Sequence, residues 1–341
     1  MTTILGHDAT IAAFRAALHG DRLHHAWLLT GPQGVGKFTT AMQFARRMLA
    51  EGMGLDPATP AMDVPLQHPA SKLLDAWSHP DFALIDRLPK DEKVAAKPRL
   101  EWPEAEERAR SIKVGQIRAL NPLFATVPSM SSRRVIVIDE AETFEVSAAN
   151  ALLKRLEEPP QGTVFLLVSH SPGRLLPTIR SRCRVLRFAP LDNAAMTSVL
   201  RAQLPDADPS ELAALIAAGD GSPGRAIHYA GLDIAGIDAA LKDLMTFGDP
   251  DNARRLSLSQ QLSLKAAQAR YEVFLQRTPA FLAAAARQRS GDALGLALKQ
   301  WESARSLAAH AVAGSLDVQQ VVFSMAGHVA ALAPTGSSAK A

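Results

Sequence analysis

Short apolar runs alternate with amphipathic stretches over the first half of the chain. The runs are four to six residues long, and five of them predict buried strands, at 26–30, 82–85, 135–138, 164–169 and 184–188. Apolar residues with helical spacing lie between them, at 10–18, 38–49 and 147–158. Strands that are apolar throughout are typical of parallel sheets covered on both faces. The pattern therefore predicts a mostly parallel α/β sheet.

The strand pattern stops near residue 190. The next 55 or so residues have the pattern of short helices around a glycine-containing turn, and the alanine-rich stretch after residue 250 has proline only at positions 279 and 334. Alanine-rich sequence with little proline favours long helices packed against one another. We therefore predict three domains, 1–190, 191–246 and 247–335, followed by a flexible tail at 336–341.

Two segments of the first domain lack a clear pattern. Residues 51–71 contain four prolines and predict a loop or an insertion. Residues 89–110 are charged and interrupted by proline, which predicts an exposed and partly disordered stretch. The sheet is therefore expected to carry two long excursions, one on each side of the 82–85 strand.

The overall composition is that of a folded protein and excludes several classes. Hydrophobic residues make up 47% and charged residues 21%, and the net charge of +3 excludes a globally basic, histone-like DNA binder. Cys183 is the single cysteine, so neither an intramolecular disulfide nor a zinc site with several thiolates is expected. No signal peptide and no long uncharged apolar stretch are evident, so we expect a cytoplasmic protein with no membrane span.

The sequence GPQGVGK, from Gly31 to Lys37, matches the phosphate-loop pattern G-x-x-x-x-G-K. It follows a predicted buried strand and precedes a predicted helix. In this setting backbone N–H groups and the helix N-terminus surround a phosphate, and the lysine adds a positive charge. Gly31, Gly34, Gly36 and Lys37 are therefore candidate nucleotide-binding residues, and a plain glycine-rich connector is the alternative.

The loop departs from the pattern at its last position. Phe38 stands where Ser or Thr offers a hydroxyl to Mg²⁺. Thr39 follows, but one step along a helix turns the side chain by about 100°, so Thr39 serves only if the loop shifts its register. ATP and Mg²⁺ are thus open as cofactors of this chain, and its own ATP hydrolysis is expected to be weak or absent.

Asp139 and Glu140 directly follow the 135–138 strand. Beside a phosphate loop, an Asp at this place holds Mg²⁺ through water and a Glu polarises the attacking water. The alternative is that the two acids cap the next helix. We predict that the pair descends from a nucleotide site, with Glu140 vestigial in catalysis because Phe38 lacks the hydroxyl.

Five arginines lie between residues 173 and 188 without any acidic residue, at positions 174, 180, 182, 184 and 187. Such a run is most often a solvated face. It also fits a nucleic-acid strip, or an arginine that projects onto a neighbouring subunit's nucleotide and stabilises transition-state charge. The residues alone leave these three interpretations open.

Several motifs around these residues resemble the clamp-loader branch of the AAA+ ATPases. They are HHAW at 24–27, HPD at 79–81, IKVGQIR at 112–118, NALLK at 150–154, LEEPP at 156–160 and IRSRC at 179–183. The resemblance is dense over residues 4–190 and thin at GSPGRA, residues 221–226. It implies a AAA+ phosphate-loop domain, a small helical lid domain and an all-α collar domain that joins partner subunits, over the three ranges given above.

The resemblance also assigns roles to single residues. It implies that the phosphate loop and the acidic pair keep the roles given above. Ser169 corresponds to the first sensor, and Arg225 to the second sensor, a lid arginine that reaches the γ-phosphate. Arg182 corresponds to the arginine finger, offered in trans to the ATP of an adjacent motor subunit.

Two departures from the family pattern bear on function. Many relatives carry a four-cysteine zinc module after the phosphate-loop helix, whereas residues 51–78 contain no cysteine, so we predict no zinc. The ATP-hydrolysing relatives, the tau/gamma motor subunits, keep the hydroxyl that Phe38 lacks. Together with the intact Arg182, the lost hydroxyl predicts a stator that donates an arginine finger.

The implied function is loading of the sliding clamp on primed DNA during replication by bacterial DNA polymerase III. The implied partners are the tau/gamma and delta subunits of a hetero-pentamer, the sliding clamp and primed DNA. An ATP-hydrolysing motor of the tau/gamma type is the alternative, since Asp139, Glu140, Ser169 and Arg225 are present. A single-stranded DNA binder that uses the arginine run is a third candidate, which the low net charge and the scarcity of aromatic residues argue against.

Overall fold

The computed structural model describes residues 4–20, 23–59, 62–103, 106–314 and 316–334. Among these residues, five parallel strands form one sheet in the order β2-β3-β4-β1-β5. Their bounds are β1 Ala26–Thr30, β2 Phe82–Ile85, β3 Arg134–Ile138, β4 Thr163–Ser169 and β5 Arg184–Arg187. Each bound lies within one residue of the predicted run, and the predicted parallel α/β sheet is confirmed.

The sheet buries an apolar core on each of its faces. β1 shows the division, because Trp27 and Leu29 belong to one core and Leu28 to the other. Parallel strands all end at the same edge of a sheet, and ligands of such sheets bind in the crevice outside that edge. Thr30 pairs with Ser169 across β1 and β4. The segments that follow β1, β4 and β3 are therefore neighbours at this edge.

One helix precedes β1 and others lie between the strands, and together they cover the positions predicted to be helical apart from Glu158. Up to residue 180 they are α1 Asp8–Leu18, α2 Lys37–Gly52, α3 Pro69–Asp75, α4 Glu92–Ala95, α5 Val114–Arg118, α6 Asn121–Phe124, α7 Val146–Glu157 and α8 Pro177–Arg180. The α7 helix ends just before Pro159 and Pro160, which lack the N–H groups that would continue it.

The rest of the described chain is helical, as the pattern predicts. The helices are α9 Asn193–Gln203, α10 Pro209–Gly219, α11 Pro223–Tyr229, α12 Ile234–Phe247, α13 Ala253–Leu262, α14 Gln268–Arg287, α15 Gly291–Gly314 and α16 Val318–Ala330. The chain divides into two compact units. The first contains the chain up to Pro205 together with Asp220–Arg225, and the second contains Asp206–Gly219 together with the chain from Ala226 onwards. The three-domain division stays a prediction, and the tail at 336–341 lies outside the described residues.

The charged stretch at 89–110 is folded where the structure describes it, in contrast to the expected partial disorder. Ala109 N donates to Leu88 O at 2.8 Å, which joins the two ends of the excursion. The Arg99 guanidinium lies 4.7 Å from the ring centre of Trp77 and 4.9 Å from that of Trp102. Cation–π contacts of this kind stabilise the stretch, although its charge and proline content hide them in the sequence.

Candidate functional site: a phosphate loop and a separate arginine

The phosphate loop lies at the carboxyl end of β1, and its glycines are required by the geometry. A Cβ on Gly31 would lie 2.3 Å from Phe188 O, and one on Gly34 would lie 2.8 Å from Arg225 N. Gly36 has a φ of 102°, in the region that side chains with a Cβ rarely adopt. These conformations let backbone N–H groups turn towards a bound anion.

Lys37 is buried at the start of α2, with 3% of its surface exposed. Its Nζ donates to Gly31 O at 2.6 Å and to Pro32 O at 2.5 Å. Burial lowers the pKa of Lys37 to about 8, and the carboxylates of Glu142 and Asp139 oppose that shift. The lysine therefore folds back on its own loop, with two carboxylates close by.

Phe38 occupies the position that normally supplies a Mg²⁺ ligand, and its surroundings in the structure are apolar. The Phe38 side chain packs against the core on one face of the sheet. α2 is helical from Lys37 onwards, so Thr39 is turned by about 100° from the Phe38 position. The hydroxyl of Thr40 donates to Gly36 O at 2.9 Å and is engaged with the loop backbone.

Asp139 and Glu140 lie beyond the end of β3, and their environments push their pKa values apart. Burial raises the pKa of Asp139 to about 6, although its Oδ1 accepts a hydrogen bond from Glu140 N at 2.9 Å. The pKa of Glu140 is lowered to about 2 by His170, whose Nε2 lies 3.8 Å from Oε1, and by an ion pair with Arg87. Glu140 is thus an ionised, paired carboxylate.

Arg87 is a further residue of the site that the sequence does not predict. The register between β2 and β3 explains why it lies beside Glu140. Ile85 pairs with Ile138 across β2 and β3. Two residues beyond each strand, Arg87 and Glu140 lie side by side, and the Nε of Arg87 donates to Oε2 of Glu140. The sequence places both residues after strands, but only the order β2-β3 brings them together.

Glu142 was also absent from the prediction and adds a second acid near the lysine. Its Oε1 accepts a hydrogen bond from His170 N at 2.9 Å. Its Oε2 is buried and has no hydrogen-bond partner in the described part of the chain. The only sequence sign of this residue is its place in the acidic run DEAE after β3.

The two predicted sensor residues lie near the loop. Ser169 is fully buried at the end of β4, and its Oγ accepts a hydrogen bond from Ser171 N at 3.2 Å. Gly224 N donates to Gly34 O at 2.8 Å, so the backbone just before Arg225 lies against the phosphate loop. The structure therefore brings Ser169 and Arg225 to the same crevice as Lys37, while their roles as sensors stay predictions.

Arg182 lies elsewhere, between α8 and β5. Its Nη1 donates to Thr178 O at 3.0 Å, and its Nη2 lies 2.8 Å from Oε1 of Glu157. Its side chain is 35% exposed. The following Cys183 is buried in a core, which raises the pKa of its thiol to about 12. Among the described residues, Arg182 therefore contacts Thr178 and Glu157 and not its own phosphate loop, and its side chain is partly exposed to solvent.

The donor set fits a phosphate better than it fits Mg²⁺. The glycine cradle and Lys37 suit a phosphate group, and Glu142 and Asp139 are the carboxylates that act on the charge of Lys37. Phe38 has no hydroxyl to offer Mg²⁺ at the position where Ser or Thr usually provides one. In the part of the chain that the structure describes, no three His, Cys, Asp or Glu side chains are grouped to hold a metal ion.

Comparison with known proteins decides the family. The family described as DNA polymerase III, delta subunit, matches residues 6–192, more than half of the chain. The delta-prime subunit of Pseudomonas aeruginosa DNA polymerase III is 38% identical over 200 residues, covering 58% of this chain and 53% of the relative. The delta-prime subunit of Bacillus subtilis is 31% identical over 180 residues, covering 53% and 46%. The chain belongs to the delta-prime subunit family of DNA polymerase III.

The resemblance to clamp-loader subunits is thereby confirmed at the level of the family. The chain spans about half the length of the delta-prime relatives that it matches. Among solved structures, a gamma subunit-related protein of Thermotoga maritima matches with a TM-score of 0.44 and 15% identity, over 94% of this chain and 98% of that one. Across the described residues, no helix has the length and hydropathy needed to cross a membrane.

Proposed function

We propose that this delta-prime family chain is the stator of a DNA polymerase III clamp loader and donates Arg182 to the ATP site of a neighbouring subunit. In this role it assembles with tau/gamma and delta subunits in a hetero-pentamer that loads the sliding clamp on primed DNA. Its own phosphate loop binds ATP weakly or not at all. The observation that carries the proposal is the contrast between a phosphate loop without its Mg²⁺-binding hydroxyl and a partly exposed Arg182.

Two features of the phosphate-loop site support the proposal that this chain does not hydrolyse ATP. Phe38 supplies no hydroxyl for Mg²⁺. Glu140, the residue that would polarise water, is paired with Arg87 and has a pKa of about 2. A general base works best with a pKa near the working pH, so Glu140 is a poor base in this arrangement.

The surroundings of Arg182 support a contact in trans. Residues 173–188 contain five arginines and no acid, so the stretch is locally basic, and Glu157 is the carboxylate paired with Arg182. Arginine presents its N–H groups in a planar fork that matches phosphate oxygens. A neighbouring subunit's ATP is an anion of that kind, and its transition state gains negative charge that a cation stabilises.

Replacing Arg182 with Ala in a reconstituted complex tests the proposal. An arginine finger accelerates turnover at the site that it completes by about 10³–10⁵, so we expect that site's DNA-stimulated ATPase to disappear and clamp loading to slow. The matched control is Arg174→Ala, because Arg174 lies in the same acid-free stretch and its guanidinium has no partner among the described residues. Unchanged rates for Arg182→Ala would remove the proposal.

The alternative is that the chain itself is an ATP-hydrolysing motor. The observation that favours it is the meeting of Asp139, Ser169 and the Arg225 backbone around the phosphate loop. Titration of the isolated chain with Mg-ATP separates the two functions. Tight binding followed by turnover that Glu140→Gln abolishes supports the motor. Absent binding, or binding without turnover, supports the stator.

A further inference from the structure

We propose that Glu157 is a positioning residue for Arg182, which holds the guanidinium in place before a partner's nucleotide arrives. The inference rests on the proposed function of Arg182 and names a second residue on which that function depends. Glu157 belongs to the LEEPP segment, at the last position of α7. This segment carries part of the family resemblance, but its sequence alone assigns no chemical role to Glu157.

The guanidinium of Arg182 is held from two sides. Nη2 lies 2.8 Å from Oε1 of Glu157, and Nη1 donates to Thr178 O at 3.0 Å. A guanidinium has five N–H donors, and these two contacts use one on each terminal nitrogen. Three donors remain for an incoming phosphate, so the pairing fixes the orientation of Arg182 without consuming its capacity to bind.

Both holding groups are fixed to the core of the phosphate-loop unit. Leu156, next to Glu157, is buried in the same apolar cluster as Ile179 and Cys183, which flank Thr178 and Arg182 in sequence. The backbone on each side of the ion pair is therefore anchored. The Glu157 side chain is 44% exposed, compared with 35% for Arg182, so the pair itself lies at the surface.

The benefit of such an arrangement is preorganisation. A free arginine side chain samples many rotamers, and that freedom is lost when the side chain binds a phosphate. A side chain already held in one orientation loses less, so more of the contact is realised in the transition state. Because the pair is solvated, its attraction is weak, and the phosphate of a neighbouring subunit outcompetes it for any shared donor.

The test compares three variants of the full chain in reconstituted clamp-loader complexes. We expect Glu157→Ala to lower kcat of the DNA-stimulated ATPase by about two- to fivefold, the range that an exposed ion pair supports, with KM for ATP unchanged. Glu157→Gln keeps an oxygen that accepts the same hydrogen bond, so it should recover most of the rate. Glu158→Ala is the matched control, since this adjacent exposed carboxylate has no partner among the described residues.

A double variant separates this inference from the proposed function. If Glu157 acts through Arg182, adding Glu157→Ala to Arg182→Ala causes no further loss of rate. A further loss, or an unchanged or raised rate in the single Glu157→Ala variant, overturns the inference and leaves the arginine finger standing. Unchanged rates for Arg182→Ala overturn the proposed function instead. Melting curves identify variants that misfold, and if Glu157→Ala is one of them, Glu157→Ser, whose side chain is too short to reach Arg182, takes its place in the comparison with Glu158→Ala.

Discussion

At the scale of single residues, the crevice beside β1 shows how neighbours set the charge state of each group. Lys37, Asp139 and Glu140 have pKa values of about 8, 6 and 2, and all three depart from their ordinary values. Burial causes the first two shifts, whereas His170 and Arg87 cause the third. Ionisable groups are commonly tuned for catalysis in this way, but here the tuning leaves the Glu140 carboxylate paired and weakly basic.

The buried Lys37 makes stability depend on pH. Between its folded pKa of about 8 and its ordinary value of 10.5, the unfolded chain binds more protons, so the free energy of unfolding rises with pH. Lys37→Met lacks this titrating group. Between pH 7 and pH 10 we therefore expect the free energy of unfolding of wild type to rise by about 2–3 kcal/mol relative to that of Lys37→Met. Urea unfolding at several pH values measures it.

Lys72→Met provides the comparison, because Lys72 is an exposed lysine in the same unit. Its unfolding free energy should follow the wild-type pH profile. A Lys37→Met profile that also runs parallel to wild type would contradict the burial of the ammonium group at the phosphate loop.

The contents of the crevice were only partly predictable from the sequence. The loop glycines, Lys37 and Asp139 are predictable because each follows a buried strand, and parallel strands end at one edge. Ser169 and Arg225 are assigned by the family resemblance alone. Arg87 and His170 are not predictable in this way, because their contacts with Glu140 depend on which strands are neighbours and on the register between them. A single sequence contains the strands but not their order in the sheet.

At the scale of elements, α2 carries two adjacent arginines with opposite surroundings. The Arg47 side chain is fully buried, its Nε lies 2.6 Å from Oε1 of Glu51, and its Nη2 donates to Pro57 O at 2.9 Å. Arg46 instead pairs at the surface with Asp75, whose side chain is 56% exposed. Arg47 thus holds the proline-rich loop after α2.

This difference predicts unequal costs for removing the two acids. Glu51→Ala leaves the Arg47 charge buried without a counter-ion and should lower the free energy of unfolding by about 3–5 kcal/mol. Asp75→Ala breaks a solvated pair and should cost about 0–1 kcal/mol. Urea unfolding of both variants measures the contrast, and equal costs would show that Glu51 does not stabilise the loop.

Elements were predicted best where burial leaves a periodic pattern. β1 and β4 are buried over their whole length and mostly apolar, and the bounds of all five strands are predicted within one residue. The sequence of the 89–110 stretch predicts partial disorder, whereas its order comes from Arg99, which lies between Trp77 and Trp102 and forms an ion pair with Asp86. Such contacts join residues that are not adjacent along the chain, so they produce no periodic pattern of apolar residues in the sequence.

At the scale of the whole molecule, the small net charge conceals an uneven distribution. The chain carries 37 basic and 34 acidic side chains, yet residues 173–188 hold five arginines and no acid. Within that stretch, Arg182 is paired with Glu157, and the Arg184 guanidinium lies 5.0 Å from the ring centre of Trp27. Two of the five arginines, in the middle of the run, therefore have partners within the chain, which interrupts a continuous row of unpaired cations.

This distribution predicts weak DNA binding by the isolated chain. Affinity for DNA follows the number of phosphates neutralised, and non-specific binding has a Kd of about 10⁻⁴–10⁻⁶ M at physiological salt. We expect the chain alone to lie at or beyond the weak end of that range in fluorescence anisotropy with labelled single strands, with little gain when salt is lowered. The reconstituted complex on primed DNA is the positive control. Micromolar affinity with a steep salt dependence would favour a DNA-binding role for the arginines, because counterion release at several phosphates is the physical sign of such a surface.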